Sequence, residues 1–228
     1  MLREEQIGAR LAEVRGRIAA ATRRARRPLD EVRLVLASKT QPAEAIAAAY
    51  RAGARDFGEN YVQEALAKRA ALLESSGIRW HLIGHLQSNK VRAACETFEL
   101  IQTLDSVRLA AALYRTRPAL LAAVLIEVNL GGEASKSGVA PEAVEVLIEE
   151  VRGKVQLRGL MTIPPPGDPA SARRNFGRLR ELRERLAAAT GLALSELSMG
   201  MTDDFEIAIE EGATIVRVGR AIFGERAR

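Results

Sequence analysis

Lysine is scarce in this chain: Lys39, Lys68, Lys90, Lys136 and Lys154 are the full set among 228 residues. Lys39 alone directly follows a compact apolar run, Arg33–Ser38, that reads as a buried strand. Packed neighbours at such a strand end strip water from an ammonium, which lowers its pKa and frees a lone pair. A neutral amine there can attack an aldehyde or ketone and form a Schiff base. Two later segments suit an anion. Ser198-Met199-Gly200-Met201-Thr202 offers a hydroxyl, a glycine that lets another group approach the backbone, and a threonine placed to open a helix. Gly219-Arg220 offers a second close approach. Asp203 and Asp204, in the first turn of that helix, oppose an anion unless both carboxylates turn outward.

Arg217 stands between Val216 and Val218 in a strand pattern, so alternation turns it away from the two valines. A guanidinium turned inward needs a polar partner, either a carboxylate or the ring nitrogen of a bound pyridine. Amine, anion-suited loops and inward arginine together describe a site for pyridoxal 5'-phosphate (PLP).

The elements that must bring these residues together alternate regularly. An amphipathic helix with Ile7, Leu11, Val14 and Ile18 at helical spacing ends before Pro28. Strands are expected at Arg33–Ser38, Asp56–Gly58, Trp80–Ile83, Leu100–Thr103, Val124–Val128, Leu157–Met161, Glu196–Ser198 and Ile215–Val218. Helices are expected from Pro42 to near Gly53 and at Tyr61–Glu74, Asn89–Glu96, Val107–Tyr114, Pro141–Val151, Ala172–Ala189 and Phe205–Glu211. Such alternation implies a parallel sheet. Eight units in this length fit a single α/β domain over 1–228, a parallel (β/α)8 TIM-type barrel with an extra N-terminal helix; an open doubly wound sheet is the alternative. In a barrel of this kind the site lies at the carboxyl ends of the strands. The stretch Pro164 to Pro169 reads as a stiff loop within the alternation, not as an interdomain linker.

Composition narrows the function further. No apolar run approaches the roughly 20 residues of a membrane span, and the N-terminus lacks the apolar segment of a secretory signal. The single cysteine, Cys95, suits a reducing compartment, so a cytoplasmic protein that meets no membrane is expected. The net charge of +5 and the run Arg23 to Arg27 lack aromatic interleaving or a recognised motif, so no nucleic-acid partner is expected. Gly131 to Ser137 lacks the glycine that a phosphate-binding loop needs before its lysine. His81 and His85, four residues apart on a strand, lie roughly 13 Å from each other, too far to share a metal.

Long motifs carry a resemblance. Ser38-Lys39-Thr40, the stretch from Phe57 to Glu64, the stretch from Trp80 to Lys90, Ser135-Lys136-Ser137-Gly138, Gly159-Leu160-Met161-Thr162, Leu197 to Glu206 and Val216 to Gly224 resemble the pyridoxal phosphate homeostasis protein family. The resemblance implies a fold like the N-terminal barrel of alanine racemase, Lys39 as the Schiff-base lysine and Arg217 facing the pyridine nitrogen. It also implies that Ser198, Gly200, Gly219 and Arg220 surround the phosphate and that Asn60, His85 and Met201 belong to the cofactor-binding residues. Gln41 departs from it, standing where many relatives carry another lysine, and Arg220 occupies a position that varies. Lys136 and Lys90 are candidates for a second PLP site.

The implied function is binding of PLP by a monomer for vitamin B6 and amino-acid homeostasis, with PLP-accepting apoenzymes as partners and no turnover of its own. A PLP-dependent racemase or decarboxylase is the alternative. The barrel consumes the chain and leaves no residues for the second domain such enzymes use. An arginine facing the ring nitrogen also makes the ring a poor electron sink, since guanidinium does not readily lend its proton.

Overall fold

The computed structural model describes residues 3–75, 77–132, 137–165 and 167–225. Among them eight parallel strands close into a barrel in sequence order. These are β1 (Arg33–Ala37), β2 (Asp56–Glu59), β3 (Arg79–Leu82), β4 (Leu100–Leu104), β5 (Ala123–Glu127), β6 (Gln156–Met161), β7 (Glu196–Ser198) and β8 (Ile215–Val218). Pairing of β8 with β1 completes the ring, so the barrel holds and the open sheet does not.

The helices are α1 (Glu4–Arg24), α2 (Ala43–Arg51), α3 (Val62–Ala71), α4 (Val91–Thr97), α5 (Val107–Thr116), α6 (Val144–Val151), α7 (Pro169–Thr190), α8 (Phe205–Glu210) and α9 (Arg220–Phe223). The four-residue α9 was not expected, because it is too short to register a hydrophobic period. Helix α7 starts at Pro169, three residues before the expected start: Asp168 caps it by accepting from the Ser171 N–H at 2.7 Å, and Pro169 suits the first helical position.

Helix α1 buries Ile7, Leu11, Val14 and Ile18 against the ring, packing on α8, α2 and α9. Its outer face is tied down by Arg17–Glu206 and Arg24–Glu210, each at 2.8 Å. None of the helices among the described residues is long and apolar enough to cross a membrane.

Strand alternation divides the buried residues in two. Phe57, Trp80, Leu82, Val216 and Val218 face the helices, while Val35, Leu100, Leu125, Met161 and Ile215 fill a small cluster inside the barrel. The interior also holds Asp56, His81, Gln102, Ser198 and Arg217, all buried. At Gly159 there is no room for any side chain, since a Cβ would fall 1.8 Å from the Glu196 carbonyl oxygen.

Asp56 opens β2 at the amino-terminal mouth and takes a bidentate pair from Arg79, at 2.9 and 2.6 Å, plus a bond from His81 Nε2 at 2.9 Å. Burial alone would raise its carboxyl, but the hydrogen bonds from Arg79 and His81 outweigh it and hold the group at about 2, below the ordinary 3.8. The folded value is the depressed one, so the stabilisation is complete above the unfolded value and disappears as pH falls through the folded one. A separation of this size is worth roughly 2 kcal/mol. Denaturant titrations of wild type and Asp56→Asn should therefore differ most near neutral pH and converge as pH falls from about 4 to about 2.

Candidate cofactor site

Lys39 lies just past β1, in the turn Ser38-Lys39-Thr40 at the carboxyl-terminal mouth, and is half-buried. The turn is pinned from three sides. Ser38 Oγ donates to Glu59 Oε1 at 2.6 Å, and its N–H donates to the Gly58 carbonyl at 3.0 Å. Lys68 Nζ, arriving from α3, donates to the Ser38 carbonyl at 2.8 Å, to Glu59 Oε1 at 2.8 Å and to Glu64 Oε1 at 2.6 Å. Glu64 also accepts from the Thr40 N–H at 2.6 Å. That last contact helps hold Thr40 at φ 65°, a left-handed conformation that a β-branched residue rarely adopts. Burial, only partly offset by Lys68 and Ser38, pushes the Glu59 carboxyl up from its ordinary value.

Arg217 is turned into the barrel, as alternation requires, and is 3% exposed. Nη1 donates to Ser198 Oγ at 2.5 Å and Nη2 to the Thr162 carbonyl at 2.9 Å. Among the described residues no carboxylate is hydrogen-bonded to it; Glu127 and Asp204 act on it only through space. Burial pushes its pKa down to about 10, which leaves it charged at neutral pH.

A cavity of about 560 Å³ opens between these groups at the carboxyl ends of the strands. Of the expected site residues, Lys39, Asn60, Met201, Arg217, Gly219 and Arg220 line it, and Thr202 joins them. Gly219 is pressed against β1, where a Cβ would meet the Ala37 carbonyl oxygen at 2.9 Å, so the loop after β8 runs beside the Lys39 turn.

Three expected residues are placed otherwise. Ser198 is buried beneath the cavity and spends its hydroxyl on Arg217 and on Gln102 Oε1. Gly200, at φ 91°, is a glycine because of α8: a Cβ would lie 2.5 Å from Ala208 Cβ and 2.9 Å from Phe205 Cα. His85 is exposed, with Nδ1 3.2 Å from Asp105, and lines a separate groove with Gln87 and Ser88. Of the candidates for a second site, Lys90 ends a 3-10 turn and does not line the cavity, and Lys136 lies outside the described residues.

Of the two aspartates after Thr202, Asp203 lines the cavity itself, where it pairs with Arg220, and Asp204 Oδ1 accepts from the Met201 N–H at 2.6 Å. Sequence reasoning missed Lys68 and Gln102 as parts of the site. The spacing of Glu64 and Lys68, one helical turn apart, was the available signal for the first.

Residues 10–227 match the family described as alanine racemase, N-terminal domain. The pyridoxal phosphate homeostasis protein of Pseudomonas aeruginosa is 47% identical to this chain over 225 residues, covering 96% of each. The chain belongs to the pyridoxal phosphate homeostasis protein family. PipY of Synechococcus elongatus, solved with PLP bound, is 38% identical, with a TM-score of 0.84, over 96% of this chain and 100% of that one. The alanine racemase of Clostridium difficile matches with a TM-score of 0.71 at 12% identity, over 98% of this chain and 58% of that one, a likeness of fold alone. Membership of the pyridoxal phosphate homeostasis protein family agrees with the resemblance carried by the motifs around Lys39, Asn60 and Arg217.

Proposed function

We propose that this protein holds PLP in the cavity at the carboxyl-terminal mouth and serves vitamin B6 and amino-acid homeostasis without turning over a substrate. The observation that carries the reading is that Lys39 and the buried Arg217 line one cavity, while Arg217 has no hydrogen-bonded carboxylate among the described residues. The cavity's size suits a small cofactor. Its lining also sorts by chemistry: an amine on one side, a guanidinium at the base, and Thr202, Gly219 and Arg220 where an anion would rest. Bound PLP would supply an aldehyde that condenses reversibly with the Lys39 amine to a Schiff base.

Arg217 would meet the ring nitrogen, and because it remains cationic it would keep that nitrogen unprotonated, which disfavours carbanion chemistry. Several relatives are named for homeostasis, which supports storage and hand-over to acceptor apoenzymes over catalysis. We read the protein as a single-domain, cytoplasmic monomer, with no nucleic-acid or membrane partner.

Borohydride reduction of the PLP-treated protein followed by peptide mapping should fix the label on Lys39. Incubation of the PLP-loaded protein with single amino acids should give no sustained racemisation, decarboxylation or transamination. Label elsewhere, or steady product formation that requires Lys39, would overturn the reading.

A further inference from the structure

A single file of hydrogen bonds crosses the barrel interior from the amino-terminal mouth to Arg217. Asp56 Oδ1 meets His81 Nε2 at 2.9 Å, and His81 Nδ1 meets Gln102 Nε2 at 3.3 Å. Gln102 Oε1 accepts from Ser198 Oγ at 2.6 Å, and Ser198 Oγ accepts from Arg217 Nη1 at 2.5 Å. All five residues are buried. At the far end, Arg79 clamps Asp56 with two bonds at the opposite mouth.

With the Gln102 amide nitrogen toward His81 and its oxygen toward Ser198, the donors and acceptors fall in one order. Asp56, held ionised by Arg79, can only accept, so His81 Nε2 carries the proton that meets it. Gln102 turns its amide nitrogen to His81, and since that nitrogen only donates, Nδ1 meets it with a lone pair. That leaves the amide oxygen toward Ser198, whose hydroxyl donates to it and turns its own lone pairs to Arg217. Every donor therefore points from Arg217 toward Asp56. Reversing any one link would set two donors or two acceptors face to face in a buried setting, where an unmade bond is costly.

We propose that Gln102 and His81 are positioning residues for Arg217: anchored on the Asp56–Arg79 pair, they fix the Ser198 hydroxyl so that it holds the guanidinium in the orientation presented to the cofactor ring. The proposal rests on the assignment of Arg217 to the ring nitrogen, but its first step, the fixing of the guanidinium, belongs to the protein without cofactor. A chain that merely satisfied buried polar groups would contribute to stability and leave ligand affinity and spectrum alone.

Two readouts test it. In cofactor-free protein labelled with 15N-arginine, the Arg217 guanidinium protons should exchange slowly, and about ten-fold faster in Gln102→Leu. In the PLP-loaded protein, Gln102→Leu should shift the visible band and weaken affinity about ten-fold. His81→Leu, two links further from Arg217, should give a smaller change in the same direction. Gln102→Glu keeps the acceptor for Ser198 and, as the neutral carboxylic acid that burial favours, a donor for His81 Nδ1, so it should recover most of the loss, which also covers the case that the leucine variant fails to fold. Combined with Arg217→Met, Gln102→Leu should add little to the loss of affinity, because the two act through one contact.

Unchanged exchange, affinity and band in Gln102→Leu, with only stability lowered, would overturn the positioning role. So would a Gln102→Glu variant as weak as Gln102→Leu, or additive losses in the double variant. Absence of any visible band in wild type would overturn the cofactor assignment instead, and the exchange measurement would then decide the positioning role by itself.

Discussion

Lys39→Ala is expected to weaken PLP binding at least ~100-fold, close to 3 kcal/mol, and to abolish the visible band of the bound cofactor. On the proposed Schiff-base reading the loss is that of the covalent tether, since the rest of the lining, Asn60, Thr202, Arg217 and Arg220 among it, remains in place. Stability of the cofactor-free chain should change by less than about 1 kcal/mol, because Lys39 is half-buried at the cavity mouth and fills no core position. Equilibrium dialysis with absorbance, paired with a denaturant titration, separates the two effects. Wild-type affinity in the alanine variant would remove Lys39 from the site.

Lys68→Met should produce the largest loss of stability, about 3 to 5 kcal/mol near neutral pH. The ammonium is buried among the Ser38 carbonyl, Glu59 and Glu64, and Glu59 itself is fully buried with one carboxylate oxygen lacking a partner among the described residues. Removing the cation leaves Glu59 with only the Ser38 hydroxyl among the described residues, and methionine cannot donate in its place. The difference from wild type should narrow on acidification, because a protonated Glu59 needs no counter-charge. Burial already raises that carboxyl, so the narrowing should begin above the ordinary glutamate value. PLP affinity should fall as well, since the same ammonium holds the turn that carries Lys39. A variant whose stability matched wild type from acid to neutral pH would show that the pair contributes nothing.

What the sequence discloses follows from the range of each interaction. Apolar runs of strand length are local signals, and each of the eight expected strands lies within one residue of its observed bounds at either end. The inward turn of Arg217 needs only the period of two within β8, and it too is observed. The partners of Ser198 are hidden from the sequence for the opposite reason. Its hydroxyl is claimed by Gln102 from β4 and Arg217 from β8, and those partners are set by barrel closure, not by chain neighbours. Gly200 reads in the sequence as a place of close approach to the backbone, and the group that approaches it is Ala208 on the following helix. His85 follows a strand as Asn60 does, yet its ring pairs with Asp105 over a neighbouring groove. Position after a strand is legible in the sequence; the direction in which the side chain leaves the loop is not.

The seam between β1 and β8 has a consequence for how the protein matures. Lys39 follows the first strand and Arg217 lies within the last, and their loops touch where Gly219 presses on Ala37. A ribosome delivers the Lys39 amine early and the guanidinium near the end of synthesis, so a ligand needing both has nothing to grip on a nascent or half-wound chain. Such non-local closure is a slow, late event in folding. Ligand gained only at that stage would draw the population toward the finished ring by mass action, making vitamin supply a determinant of how much completed protein a cell keeps.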